Sequence, residues 1–127
     1  MGNRLIAVVD DDPLVRSATT SLLRSFGYDC CAFSSAEEFL QDEECDYACV
    51  VSDIQMSGMS GVELAHLLHK QAPPPPVILI TAYPEARAAH AKSSGVVLDL
   101  LEKPLDGDAL LGAVRAAIGD PDVEVDA

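Results

Sequence analysis

From Leu5 to Val9 the chain is apolar without interruption, and it then meets three aspartates in a row, Asp10, Asp11 and Asp12. Successive side chains of a strand point to opposite faces, so an unbroken apolar run demands cover on both. Parallel sheets meet that demand because their crossover helices pack on each side. Residues 4–9 are therefore predicted as a buried strand, and the segment after them as its helix. Pro13 suits a first helical turn, and Val15, Ala18, Leu22, Leu23 and Phe26 recur at helical spacing until Gly27 stops them.

The same alternation continues along the chain. Residues 28–33 read as a second strand, and Ser34-Ser-Ala-Glu37 as a capping box opening the helix that carries Phe39 and Leu40. A third strand over 47–52 ends at Asp53. After a loop rich in Ser, Met and Gly, Ser60-Gly-Val-Glu63 supplies another capping box for a helix holding Val62, Leu64, Ala65, Leu67 and Leu68. The four prolines at 73–76 form a stiff connector into a fourth strand at 77–80. An Ala-rich helix is expected over 84–94, a fifth strand over about 97–101, and a last helix from the cap Asp106 through Ile118, closed by Gly119, Asp120 and Pro121. Five strand and helix pairs in strict alternation predict an α/β fold with a five-stranded parallel sheet, doubly wound, with five helices and right-handed crossovers.

With 127 residues the chain is one domain's worth and needs no disulfide or metal staple to fold. No apolar run approaches the roughly 20 residues of a membrane-spanning helix, and the start Met-Gly-Asn-Arg lacks a signal peptide's apolar core, so a cytoplasmic location is expected. Eight basic against 21 acidic residues leave a net charge of −13, which repels phosphate backbones and anionic membranes. Direct nucleic-acid or membrane binding is not expected. Cys30 and Cys31 are adjacent, and Cys45 and Cys49 form no CxxC pair, so all four cysteines read as reduced, mostly packing thiols. His66 and His69 read as surface residues, and His90 carries no signal.

Ligands of an open parallel sheet bind beyond the carboxyl ends of its strands, and four of the five predicted strands end in reactive residues. Strand one delivers Asp10, Asp11 and Asp12, strand three Asp53, strand four Thr81, and strand five Lys103 followed by Pro104. Converging carboxylates repel, and a cationic side chain or a hard divalent metal relieves them; oxygen-only ligands favour Mg2+. With Lys103 as cation, Thr81 as hydroxyl donor and the loop after Asp53 supplying backbone groups, the edge is suited to a phosphoryl group.

Val9-Asp10-Asp11-Asp12-Pro13, Ser52-Asp53-Ile54-Gln55-Met56 with Gly58 and Gly61, Ile80-Thr81-Ala82 and Glu102-Lys103-Pro104, in that order at strand ends, closely resemble the receiver domains of bacterial two-component response regulators. The resemblance covers residues 4–118. It implies a flavodoxin-like sheet of strand order 2-1-3-4-5, a receiver domain over residues 1–119 and an acidic tail or linker stub over 120–127. It further implies that Asp53 accepts a phosphoryl group from a histidine kinase phosphohistidine, with Thr81 and Lys103 each binding a phosphoryl oxygen. Mg2+ would be held by Asp11, Asp53 and the backbone carbonyl of Gln55, with Asp10 reaching it through water. Implied partners are a sensor histidine kinase or phosphotransfer protein and an unknown downstream protein, with the chain a monomer or weak dimer and enzymatic only in its own phosphorylation and dephosphorylation.

The chain departs from the family pattern in three places. Ser57 stands where Pro is usual. Leu100 occupies the position, three before Lys103, where many receivers carry Tyr or Phe. By count, residues 81–95 are one residue shorter and 95–103 one longer than is common, which predicts a displaced fourth helix. Two other functions compete: a haloacid-dehalogenase-type phosphatase, suggested by the D-x-D spacing of Asp10 and Asp12, and an interaction domain that works without phosphorylation. The phosphatase would place the acyl phosphate on Asp10 and leave Asp53 without a role.

Overall fold

Alternate residues of the first strand belong to two different cores. Ala7 and Val9 pack with Phe39, Leu64, Ala65 and Leu68, whereas Ile6 and Val8 pack with Leu23, Leu110, Ala113 and Val114. The same division runs through Val50 and Leu79 on one face and Val51, Ile78 and Ile80 on the other. This is why the strands are apolar without interruption: each side of the sheet is covered by helices.

The computed structural model describes residues 5–42, 47–71, 73–82, 95–103 and 105–119. Strands β1 (Leu5–Val9), β2 (Asp29–Phe33), β3 (Cys49–Asp53), β4 (Val77–Thr81) and β5 (Asp99–Glu102) form one parallel sheet in the order β2-β1-β3-β4-β5. Four helices lie among the described residues: α1 (Pro13–Ser25), α2 (Ala36–Leu40), α3 (Gly61–Leu68) and α4 (Gly107–Ile118). The helices α2 and α3 cover one face and α1 and α4 the other. The helix expected over 84–94, with Tyr83 and His90, lies outside the described residues. So do Cys45, Pro104 and the tail over 120–127.

The helix starts follow their caps. Asp12 caps α1, its carboxylate accepting the Leu14 N–H at 3.0 Å, with Pro13 at the first helical position. Asp106 caps α4 through the Asp108 N–H. Ser60 and Glu63 make the expected reciprocal box at α3. At α2 the expected box is displaced by one residue. Ser35, with extended backbone, is the cap and accepts the Glu38 N–H, while the Glu38 carboxylate accepts from the Ser34 N–H and hydroxyl. That shift releases Glu37 from capping, and its carboxylate accepts the Met59 N–H at 3.0 Å.

Strand boundaries move by one or two residues from expectation. Tyr28 precedes β2 rather than opening it; its ring is buried and its hydroxyl donates to the Gly119 carbonyl at 2.8 Å, joining the entry to β2 to the end of α4. Cys30 and Cys49 are buried and Cys31 half-buried, and all three are free thiols. No helix among the described residues is long and apolar enough to cross a membrane.

Candidate functional site

Parallel register brings the strand ends to one edge. Val9 lies beside Ser52, Asp53 beside Ile80, and Thr81 beside Glu102, so residues 10, 53, 81 and 103 emerge together. The backbone then fixes each neighbour. Asp10 donates its N–H to the Phe33 carbonyl at the end of β2, Ile54 to the Ile80 carbonyl, and Lys103 to the Thr81 carbonyl. The second strand, silent in the sequence, therefore supports the site through its last carbonyl.

Asp10 is only 3 % exposed. One carboxylate oxygen accepts the Asp12 N–H at 2.9 Å, and the Arg16 guanidinium donates to its backbone carbonyl at 2.7 Å. Asp53 is 5 % exposed. Its Oδ2 takes the Lys103 ammonium at 3.2 Å, while its Oδ1 is the one buried side-chain polar atom without a hydrogen-bond partner among the described residues. Asp11 is exposed, and its Oδ2 accepts the Ser57 N–H at 3.0 Å with the Ser57 hydroxyl at 3.4 Å. Thr81 is fully buried and donates its hydroxyl to the side-chain oxygen of Gln55 at 3.1 Å.

Burial raises the Asp10 carboxyl above its ordinary value, the Asp12 N–H pulling it back and the Asp53 charge adding to the rise. Burial also raises Asp53, and the Lys103 hydrogen bond and charge oppose that rise. Two buried carboxylates whose charge is disfavoured, with a third beside them, form a site short of positive charge.

One oxygen from each of Asp10, Asp11 and Asp53 lies within 4.8 Å of the others. An all-oxygen carboxylate set suits a hard divalent cation, and the unpartnered Asp53 Oδ1 is a further donor for one. The residues therefore fit the ion implied by the resemblance. Asp12, the second acid of the D-x-D spacing, lies outside this cluster and caps α1 through its carboxylate.

Several contributors were not legible as site residues. Gly61 starts α3 directly against the end of β3: a Cβ there would stand 2.3 Å from the Asp53 carbonyl oxygen. The Ser57 N–H, Arg16 and the side chain of Gln55 act through backbone or polar contacts that no motif marks. Leu100 is half-buried against the core beside Leu79, so an aliphatic side chain fills that position.

Comparison with known proteins places these features in a family. The model of the response regulator receiver domain matches residues 6–115. The transcriptional regulatory protein TdiR of Thauera aromatica is 39 % identical over 115 residues, covering 89 % of this chain and 50 % of TdiR. The transcriptional regulatory protein FixJ of Bradyrhizobium diazoefficiens is 36 % identical over 115 residues, covering 89 % of this chain and 56 % of FixJ. The chain thus spans about half the length of these curated relatives. Among solved structures, FixJ-N superposes with a TM-score of 0.81 at 29 % identity, with both chains fully covered. The response regulator TrrA of Thermotoga maritima, in complex with Mg(2+)-BeF, gives 0.80 at 30 % identity over 91 % of this chain and 99 % of that one.

Proposed function

The chain belongs to the response regulator receiver domains, and from that premise we propose that Asp53 is its phosphoacceptor and that Asp10, Asp11, Asp53 and the Gln55 backbone carbonyl hold Mg2+ beside it. The observation that carries this reading is the convergence of three carboxylates within 4.8 Å, with Lys103 bound to one of them, Asp53. The domain function is phosphoacceptance in two-component signalling. The residue assignments, the metal and the partners are the proposal.

Phosphoryl transfer is mainly positioning and charge neutralisation. A carboxylate oxygen of Asp53 attacks the phosphorus of a phosphohistidine, the P–O bond of an acyl phosphate forms, and the P–N bond breaks with its electron pair returning to the imidazole. The imidazole then takes up a proton. Lys103, already on Oδ2, is placed to neutralise charge on the transferring group, and Thr81 to donate its hydroxyl to a phosphoryl oxygen after leaving Gln55. Magnesium, when bound, supplies the remaining positive charge. Burial of Asp53 limits access of water to the acyl phosphate from the protein side.

The donor is a sensor histidine kinase or a phosphotransfer protein, and the output is a phosphorylation-dependent change in binding to a downstream protein. Residues 1–119 form the receiver unit, with 120–127 as acidic tail or linker stub, and the unit works as a monomer or weak dimer in the cytoplasm. The charge of −13 argues against direct contact with nucleic acid by this chain. Beryllofluoride, a phosphoryl mimic, tests the site. Thermal unfolding should shift upward with Mg2+ and rise further when beryllofluoride is added. The second rise should vanish without Mg2+ or in Asp53→Asn. A mimic response that survives Asp53→Asn would move the acceptor elsewhere.

A further inference from the structure

The loop between β3 and α3 carries two backbone N–H groups, two residues apart, that are bound by carboxylates from different parts of the chain. Ser57 donates to Asp11 Oδ2 at 3.0 Å, and Met59 donates to Glu37 Oε2 at 3.0 Å. Gly58 between them has φ +81°, a backbone state that glycine adopts at little cost. A Cβ at Gly58 would stand 2.9 Å from Glu37 Oε2, so a side chain there would push the Glu37 carboxylate off the Met59 N–H. The loop is thus clamped between α2 and the segment after β1, and the second clamp exists because Glu37 is not used in capping α2.

Asp11 differs from its partners in the acidic cluster. Asp10 and Asp53 are buried, whereas Asp11 is exposed and the Ser57 N–H and hydroxyl are its contacts given by the geometry. An exposed carboxylate must lose rotamer freedom when it becomes a ligand, and a hydrogen bond to one oxygen removes that freedom beforehand while the other oxygen stays available. Proline at position 57, usual in the family that the sequence resembles, has no N–H and cannot make this bond.

We infer that Ser57, through its backbone N–H, is a positioning residue that fixes Asp11 for a divalent cation, and that Glu37 holds the loop in the place where this bond forms. The inference rests on the reading that Asp11 is a cation ligand. It assigns a role to a departure from the family pattern and to a glutamate remote from the acidic cluster in sequence.

Calorimetric titration with Mg2+ tests it on the intact chain without any phosphorylation readout. Ser57→Ala keeps the N–H and loses only a hydroxyl at 3.4 Å, so its affinity should stay within about twofold of the wild type. Ser57→Pro should bind Mg2+ about tenfold more weakly, as is typical when a partner orienting a metal ligand is lost. Glu37→Ala should weaken binding in the same direction, and Glu37→Gln, whose amide oxygen still accepts the Met59 N–H, should restore it. Urea unfolding without metal separates loss of a ligand's orientation from loss of fold. Ser57→Pro binding Mg2+ as tightly as the wild type, or more tightly, would overturn the inference. Should Ser57→Pro fail to fold, equal affinity of Glu37→Ala and wild type would overturn it instead. A wild type that binds no Mg2+ would refute the proposed site itself, and this inference with it.

Discussion

Replacing Asp53 by Asn should make the metal-free protein more stable while removing the proposed acceptor. The Asp53–Lys103 contact at 3.2 Å is worth about 5 kcal/mol at an effective dielectric of about 20. Against it stands repulsion from Asp10, also buried, at no more than 4.8 Å between ligand oxygens, which costs about 3.5 kcal/mol on the same scale. Burying the ionised carboxylate, its Oδ1 unpartnered, adds roughly 1–3 kcal/mol beyond what the neutral amide of Asn would cost in the same place. These terms cancel to within about 1.5 kcal/mol, and Asp11, exposed and screened by water at a dielectric of about 80, adds about 1 kcal/mol of repulsion, which leaves the charge a net burden of about 1 kcal/mol and agrees in sign with the raised Asp53 carboxyl. Asp53→Asn should therefore raise Tm by about 4 °C at pH 7 without metal. The gain has a definite pH dependence. A carboxyl raised in the native state burdens the fold fully above its native value, and that burden lifts as pH falls through this value toward 3.8, its ordinary position. Calorimetry of both proteins from pH 7 to pH 4 should show the gap closing on the acid side, and saturating Mg2+ at pH 7 should favour the wild type. A variant less stable than wild type at pH 7, or a gap that widens on acidification, would refute this electrostatic account.

Three further outcomes are expected. Asp10→Asn should likewise stabilise the metal-free protein at neutral pH and lose that advantage on acidification, read by the same calorimetry, because burial raises this carboxyl too. Gly61→Ala should cost about 3 kcal/mol in urea unfolding, since the new methyl would meet the Asp53 carbonyl at 2.3 Å and backbone must move. Brief alkylation at pH 8 followed by peptide mapping should label half-buried Cys31 well ahead of Cys49, which is fully buried and whose thiol is pushed up to about 12.

The strand ends were legible because the chemistry there is carried by side chains that interrupt a periodic pattern. Asp10, Asp11, Asp53, Thr81 and Lys103 stand at or just past the ends of largely apolar runs, and parallel register brings such positions to one edge. Helix caps were legible where a single side chain dominates, as at Ser60 and Asp106. At α2 two adjacent serines and two adjacent glutamates offered the same box in two registers. The choice of Ser35 follows from the backbone entering the helix, which no local residue type encodes. Asp12 appeared in the sequence as one more acid of the cluster, yet its place directly before Pro13 is a cap signature, and it serves as one. The Ser57 N–H and the carbonyls of Phe33 and Asp10 are backbone groups, common to every residue, and become identifiable only when the tertiary fold is known.

The central claim is that Asp53 is the nucleophile. Mass spectrometry of the protein treated with acetyl phosphate and Mg2+ addresses it directly. The account predicts one added phosphoryl group, stable in acid and labile in base as an acyl phosphate is, mapping to Asp53 and absent from Asp53→Asn. Full labelling of Asp53→Asn, or a phosphoryl group mapped to Asp10, would contradict it.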